Sequence, residues 1–261
     1  MKLRACCLAA LMILLAAPAA QAGWVLHQQT PGGAATVYVQ DNMMRTGSGE
    51  RGIIYDLNQG TVTMLNPSRK VYWSGRPEQL TKQMNQALDA RLEQALKNAP
   101  PGQRKQMRAM MAQRMGRGQG HGMGKPGPAP RVEVKATGDY QNIAGYKTRK
   151  YQVYVNGRLR QEVWIADAAG FTKDLDMGRM AKMIHAMRMA GPRAGAGTGW
   201  RASPPMMKLM AKGMPLMITS YGRDGARQAM KITKVEKKGL DKSIFQPPAG
   251  YKRVDFLHMM R

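Results

Sequence analysis

Short apolar runs with a period of two, bounded by Asn, Gly and Pro, constrain the fold of this chain most strongly. Between residues 34 and 75 these runs are AATVYVQDNMMRT, GIIYDL, TVTML and KVYWSG, with turn residues at 58–60 and 66–68. Runs of β-branched and aromatic residues between such turns are typical of β-hairpins. Residues 23–75 are therefore predicted to form an antiparallel meander.

A second block of the same kind follows after a long interruption. The runs YKTRKYQVYV and RLRQEVWIAD flank Asn156 and Gly157, and an Asn-Gly pair is the strongest short hairpin signal. Two further strands, PLMITSY and QAMKITKV, lie on either side of residues 223–225. Strands in groups, interrupted by helices, predict an α+β fold with one curved antiparallel sheet.

Helical periodicity appears between the strand blocks. An apolar stripe recurs every four residues from Leu80 to Leu96, and residues 174–190 have a second apolar face. A third helix is predicted to start at Ser203 and Pro204, because Ser caps helices and Pro suits their first turn. We call the apolar positions on the last two helices the lid residues: Met177, Met180, Ile184, Met187, Met206, Met207 and Met210. Unbranched methionine on such faces suits variable apolar partners.

The first 22 residues have the three parts of a secretory signal peptide. Lys2 and Arg4 precede an apolar run at 5–20, and the small residues before Gly23 predict cleavage between Ala22 and Gly23. The alternative is a retained anchor, although the run is shorter than the roughly 20 residues that span a bilayer. The sequence thus predicts a periplasmic protein with one domain at 23–261 and no cysteine left for a disulfide.

A basic insertion at about 99–130 is rich in Met, Gly and Pro, and its part from 116 to 130 is expected to be flexible. Its first half combines an apolar methionine stripe with basic residues, which describes a helix lying on an anionic envelope surface. The membrane-surface candidates are Arg104, Arg108, Arg114 and Arg117. The alternative is a basic linker.

Removing Lys2 and Arg4 lowers the formal net charge from +25 to +23, which still favours polyanionic partners. No nucleic-acid partner is expected, since the insertion lacks aromatic residues for base stacking.

Motifs of common enzymes are missing from the sequence, and neither an enzymatic activity nor a cofactor is expected. Methionine and histidine together leave a Cu(I) site open as an alternative, because thioethers are soft ligands. His121 with Met123 lies in the flexible insertion, and His185 with Met189 shares a helix face at a spacing of four. These four residues are the candidate copper ligands.

Three stretches resemble a family of secreted bacterial proteins that is similar to the periplasmic lipoprotein carriers LolA and LolB. They are IIYDLNQGTVTMLNPSRKVYW (53–73), IAGYKTRKYQVYVNGRLRQEVWIAD (143–167) and IFQPPAGYKRVD (244–255). The resemblance implies an incomplete antiparallel β-barrel with helices across its concave face. It also implies a hollow that accepts acyl chains.

The resulting hypothesis is a non-catalytic, carrier-like protein that holds a lipid or an acyl chain beneath the lid residues. Two alternatives stay open. One is a periplasmic copper-binding protein, and the other is an envelope interaction module with a filled core and no ligand.

Overall fold

A single twelve-stranded sheet forms the body of the protein in the computed structural model, which describes residues 22–98, 100, 102, 130–166, 169–190, 199–222, 225 and 227–260. The strands are β1 Ala22–Thr30, β2 Gly33–Gln40, β3 Met43–Ser48, β4 Arg51–Asp56, β5 Thr61–Asn66, β6 Val71–Gly75, β7 Val132–Ile143, β8 Tyr146–Val155, β9 Arg158–Ala166, β10 Met214–Tyr221, β11 Arg227–Gly239 and β12 Lys252–Arg253. The α-helices within these ranges are α1 Pro77–Asn98, α2 Met177–Ala190, α3 Pro204–Met210 and α4 Phe256–Met260.

The order of the strands joins the two halves of the chain in one sheet. It runs β12-β6-β5-β4-β3-β2-β1-β11-β10-β9-β8-β7, so the first strand lies beside the penultimate one. All neighbouring pairs are antiparallel except β12 and β6, which run parallel over two residue pairs. The prediction of one curved sheet in an α+β fold is confirmed. The prediction that the sheet is wholly antiparallel is wrong at this edge.

The two faces of the sheet carry different covers. Neighbouring residues of a strand point to opposite faces, so Val25 and Leu26 mark the two sides of β1. Leu26 belongs to the largest apolar cluster, which also includes buried residues of α2, and we call this side the helix face. Val25 packs on the other side with Leu240 and Phe245, which come from the C-terminal segment. The sheet is therefore covered on both sides in its N-terminal half.

A second apolar cluster lies on the helix face of the other half. Val163 of β9 pairs with Ile218 of β10, and Ile218 pairs with Met230 of β11. Ile232, two residues farther along β11, belongs to the cluster of Leu26. Since paired residues share a face, Val163 lies on the same side as Ile232. The helices α2 and α3 therefore cover one face of one sheet, as the sequence predicts.

The C-terminal segment passes around the β6 edge from one face to the other. Phe245 packs on the face opposite the helices, and the backbone N–H groups of Lys252 and Val254 donate to carbonyls of residues 70 and 72 at 3.0 and 2.9 Å. Phe256 then packs against Trp73 on the helix face, with ring centroids 5.9 Å apart. This segment covers an edge that would otherwise expose unpaired backbone groups.

Several predictions fall on residues outside the described ranges. These are the signal sequence up to residue 21, the flexible part at 116–129, and the candidates Arg104, Arg108, Arg114, Arg117, His121 and Met123. Ala22 and Gly23, at the predicted cleavage site, begin β1 and pair with Gly239 and Lys238. Among the helices within the described ranges, none is long and apolar enough to cross a membrane.

Candidate ligand-binding groove

The lid residues of α2 lie at different depths over the main cluster. Met180 is buried, with 2% of its surface exposed, because it faces directly into the sheet. Met177, Ile184 and Met187 pack on the same cluster but remain half-buried. This helix therefore fills part of the core and keeps an accessible apolar margin.

The lid residues of α3 cover other strands. Met206 is buried and Met210 partly buried against a cluster formed by β8 and β9, whereas Met207 is half-buried and outside it. Leu209, at 1% exposure, is the most buried residue of this helix and is absent from the predicted set. The two groups of lid residues thus lie over different strands of one face, although α2 and α3 contact each other.

Hydrogen bonds fix the start of α2 to the first strands. The indole Nε1 of Trp24 donates to the carboxylate of Asp174 at 2.5 Å, and the backbone N–H of Asn42 donates to the carbonyl of Asp174 at 2.8 Å. The side-chain oxygen of Asn42 accepts from the backbone N–H of Asp176 at 2.8 Å, and the Asp176 carboxylate accepts from the N–H of Arg179 at 2.9 Å. We call Trp24, Asn42, Asp174 and Asp176 the α2 anchor.

An open groove of about 500 Å³ separates the N-terminal ends of α1 and α2. Its third wall is the turn between β4 and β5. The apolar part of its lining consists of Leu57, Pro77, Met183 and Ala186, of which Leu57 and Met183 are buried in the core behind it. The volume lies within the range of about 300–1,000 Å³ that is typical of small-molecule sites.

Charged side chains surround this apolar floor. Arg76 stands at the start of α1, and Arg179 and Lys182 come from α2. Among the described residues that line the groove, Glu78 is the single carboxylate. Arg179 Nε lies 3.4 Å from the carboxylate of Asp176. Arg76 and Lys182 are exposed and form no ion pair with any residue in the described ranges. The groove therefore has an apolar floor and a net positive rim.

A second groove, of about 400 Å³, is more polar, and its polar side chains form hydrogen bonds within the protein. It lies between α1 and the β6 edge and is lined by Trp73, Gln83 and Arg253 among others. The side-chain oxygen of Gln83 accepts from Trp73 Nε1 at 2.8 Å and from the backbone N–H of Phe256 at 3.1 Å. These bonds hold the C-terminal segment in place, which accounts for the polar lining.

The face opposite the helices carries a charged network across β8, β9 and β10. Lys150 Nζ lies 2.9 Å from the carboxylate of Glu162, and this hydrogen bond raises the pKa of Lys150. Burial alone would raise the pKa of Glu162, but hydrogen bonds from Lys150, Tyr221 and Gln152 lower it. All these charges have partners within the sheet, so the network stabilises strand pairing.

Of the candidate copper ligands, His185 is the one whose side chain the structure describes. It is half-buried on α2, and its Nδ1 is buried without a hydrogen-bond partner in the described part of the chain. Met189 lies one turn farther along α2, but its side chain is outside the described set, as are His121 and Met123. Among the described residues, no three His, Cys, Asp or Glu side chains gather closely enough to hold a metal ion.

The groove and its rim were not among the predicted site residues. Arg179 and Lys182 are three residues apart and share one side of α2, a spacing that is visible in the sequence. Arg76, at the start of α1, lies close to these two residues only in the folded protein, and the sequence does not indicate this proximity.

Two crystal structures of PNGF-II, in space groups C2 and P21, resemble this chain distantly. Their sequence identities to it are 13% and 12%, and each match covers 92% of this chain with a TM-score of 0.38. Each match spans 32% of the PNGF-II chain. No curated protein matches the sequence. The profile of a domain of unknown function (DUF4412) matches residues 124–251, a segment that includes strands β7 to β11.

Proposed function

We propose that this protein is a non-catalytic, periplasmic binding protein of the LolA/LolB type that holds an apolar ligand such as a lipid or an acyl chain. The observation that carries the proposal is the open groove between α1 and α2, with Leu57, Met183 and Ala186 on its floor. An accessible apolar groove of this size on a solvent-exposed surface is typical of a ligand site.

The partly buried apolar residues of α2 support the proposal. Met177, Ile184 and Met187 contact the core cluster but are only half-buried. Methionine is flexible and polarisable, so it adapts to apolar partners of different shape. None of these three is among the described residues that line the groove; an outward movement of α2 would expose them to a ligand while Met180 keeps the helix attached.

The α2 anchor defines the mechanism of such a movement. It fixes the N-terminal end of the helix through Trp24, Asn42 and Asp174. The rest of α2 packs on the sheet and on α1 through apolar residues of the main cluster, and it lies against α3. Apolar contacts are non-directional, so among the described residues the helix can pivot on its anchor without breaking a directed bond to another element. Binding and release then need no chemical step.

A groove-filling substitution tests the proposal. Ala186→Trp places a large ring on the floor of the groove at a half-buried position, where it should be tolerated by the fold. Each buried methylene of a ligand contributes about 0.8 kcal/mol, so excluding two of them should weaken binding about tenfold. The measurement is fluorescence titration with a neutral fluorescent monoacylglycerol, after native mass spectrometry of protein purified from its own envelope has identified any copurified acyl lipid.

The matched control is Ala211→Trp, which makes the same exchange at the exposed C-terminal end of α3. It should bind the probe as the parent protein does. A parent protein that carries no copurified lipid and does not bind the probe contradicts the proposal. Equal loss of binding in both variants contradicts the location of the site.

A further inference from the structure

We infer that the groove selects a single-chain amphiphile with an anionic head group, an inference that rests on the proposed function and names its ligand class. The apolar floor and the positive rim belong to one groove, so a ligand that fills it meets both. A purely apolar ligand would leave the rim without a counter-charge.

The position of the cations places the head group between the two helices. Arg179 and Lys182 lie three residues apart on one side of α2, and Arg76 lies on the opposite wall at the start of α1. An anion at the mouth of the groove would therefore be approached from both walls. The N-terminal end of α1, where the helix dipole is positive, lies on the same side of the groove and favours negative charge there.

The pairing of these cations shows which of them are available. Asp176 already lies 3.4 Å from Arg179, so part of that charge is compensated within the protein. Arg76 and Lys182 have no acidic partner among the described residues, and both are exposed. A guanidinium binds a carboxylate or a phosphate through two parallel hydrogen bonds, and an ammonium acts as a compact point charge. Together they suit one anionic group.

The carboxylate of Glu78 limits the ligand further. It lines the same groove, so the described part of the rim carries three cations and one anion. A cationic head group would be repelled by the majority of the rim, and a neutral one would gain nothing from it. The expected order of affinity for ligands with equal chains is therefore anionic, then neutral, then cationic.

Decanoate, decanol and decyltrimethylammonium test this order, because they share one chain and differ in charge. Isothermal titration calorimetry below the micellar concentration of each should show decanoate binding about fivefold to thirtyfold more tightly than decanol, from two exposed charge contacts. The double variant Arg76→Gln/Lys182→Gln should lower the affinity for decanoate toward that for decanol. Added salt should weaken decanoate binding alone.

The matched control is Arg158→Gln/Lys208→Gln, which removes the same charges at exposed positions away from the groove. It should keep the parent preference for decanoate. If decanol binds as tightly as decanoate, or if both double variants lose the preference equally, the inference is overturned and the proposed apolar site stands. If none of the three compounds binds the parent protein, the proposed function itself fails.

Discussion

Loss of the Asp174 carboxylate should loosen the attachment of the start of α2 to the first strands without unfolding the protein. Asp174→Ala keeps the backbone carbonyl that accepts from Asn42, but it removes the acceptor of the Trp24 indole N–H. The indole is half-buried, so its N–H loses its partner where water reaches it poorly. The residues of the main cluster keep their apolar contacts.

The size of the effect follows from the type of hydrogen bond. A hydrogen bond to a charged group contributes about 1.5–3 kcal/mol. If that free energy opposes local opening of α2, its loss raises the open population about tenfold to a hundredfold. Native-state hydrogen exchange measures this population directly, since amides of α2 exchange through local opening.

The expected result is exchange about tenfold to a hundredfold faster in α2, with β8 and β9 unchanged. Asp139→Ala is the matched control, because it removes the same carboxylate on β7, where Asp139 is exposed. It should leave α2 exchange as in the parent protein. Unchanged protection of α2 in Asp174→Ala would refute the anchor. Equal acceleration across the whole sheet would show that Asp174 supports global stability instead.

Two further predictions concern stability. Met180→Ala should lower the free energy of unfolding in urea by about 2–5 kcal/mol, because the side chain is almost fully buried. Met187→Ala should lower it clearly less, because that side chain is half-buried. Equal losses of stability would contradict the different burial of the two residues. Hydrogen bonds from Lys234 and His27 lower the pKa of Glu236 from 4.5 to about 2. Their whole contribution to the stability of the fold is therefore present above pH 4.5, and it is lost progressively as the pH falls toward 2. Glu236→Gln should therefore be less stable than the parent at neutral pH, and the difference should narrow between pH 4.5 and 2. A constant difference across that range would contradict the pKa shift.

Local signals in the sequence were sufficient for most of the sheet. The turn at Asn156 and Gly157 has φ values of 51° and 76°, which is the left-handed geometry that the Asn-Gly pair predicts. The third helix begins at Pro204 after Ser203 as expected, although the Ser203 side chain makes no capping bond. The long strand β7 was not predicted, because its side chains are mostly exposed or half-buried and its register shifts between Ala136 and Tyr140. The two-residue strand β12 is too short to have a periodicity.

The site was less accessible to sequence reasoning. The lid residues were found from helical spacing, but spacing does not reveal that α2 and α3 pack on different strands. Leu209 is missing from the lid residues because that set rests mainly on methionine, while burial depends on position rather than on residue type. The rim combines Arg76 with Lys182, more than a hundred positions apart in the sequence, and such proximity follows only from the order of the strands.

The pairing of β1 with β11 and of β6 with β12 has a consequence for the time course of folding. The N-terminal meander cannot obtain its outer neighbours until the last part of the chain is present, because both partners lie beyond residue 226. Closing such long loops costs entropy before any contact is gained, and chains dominated by distant pairings fold slowly. The N-terminal meander therefore completes its strand pairing only after most of the chain has been made. Under the proposed periplasmic location, a sheet that is completed by its final residues would delay folding until export across the membrane is over.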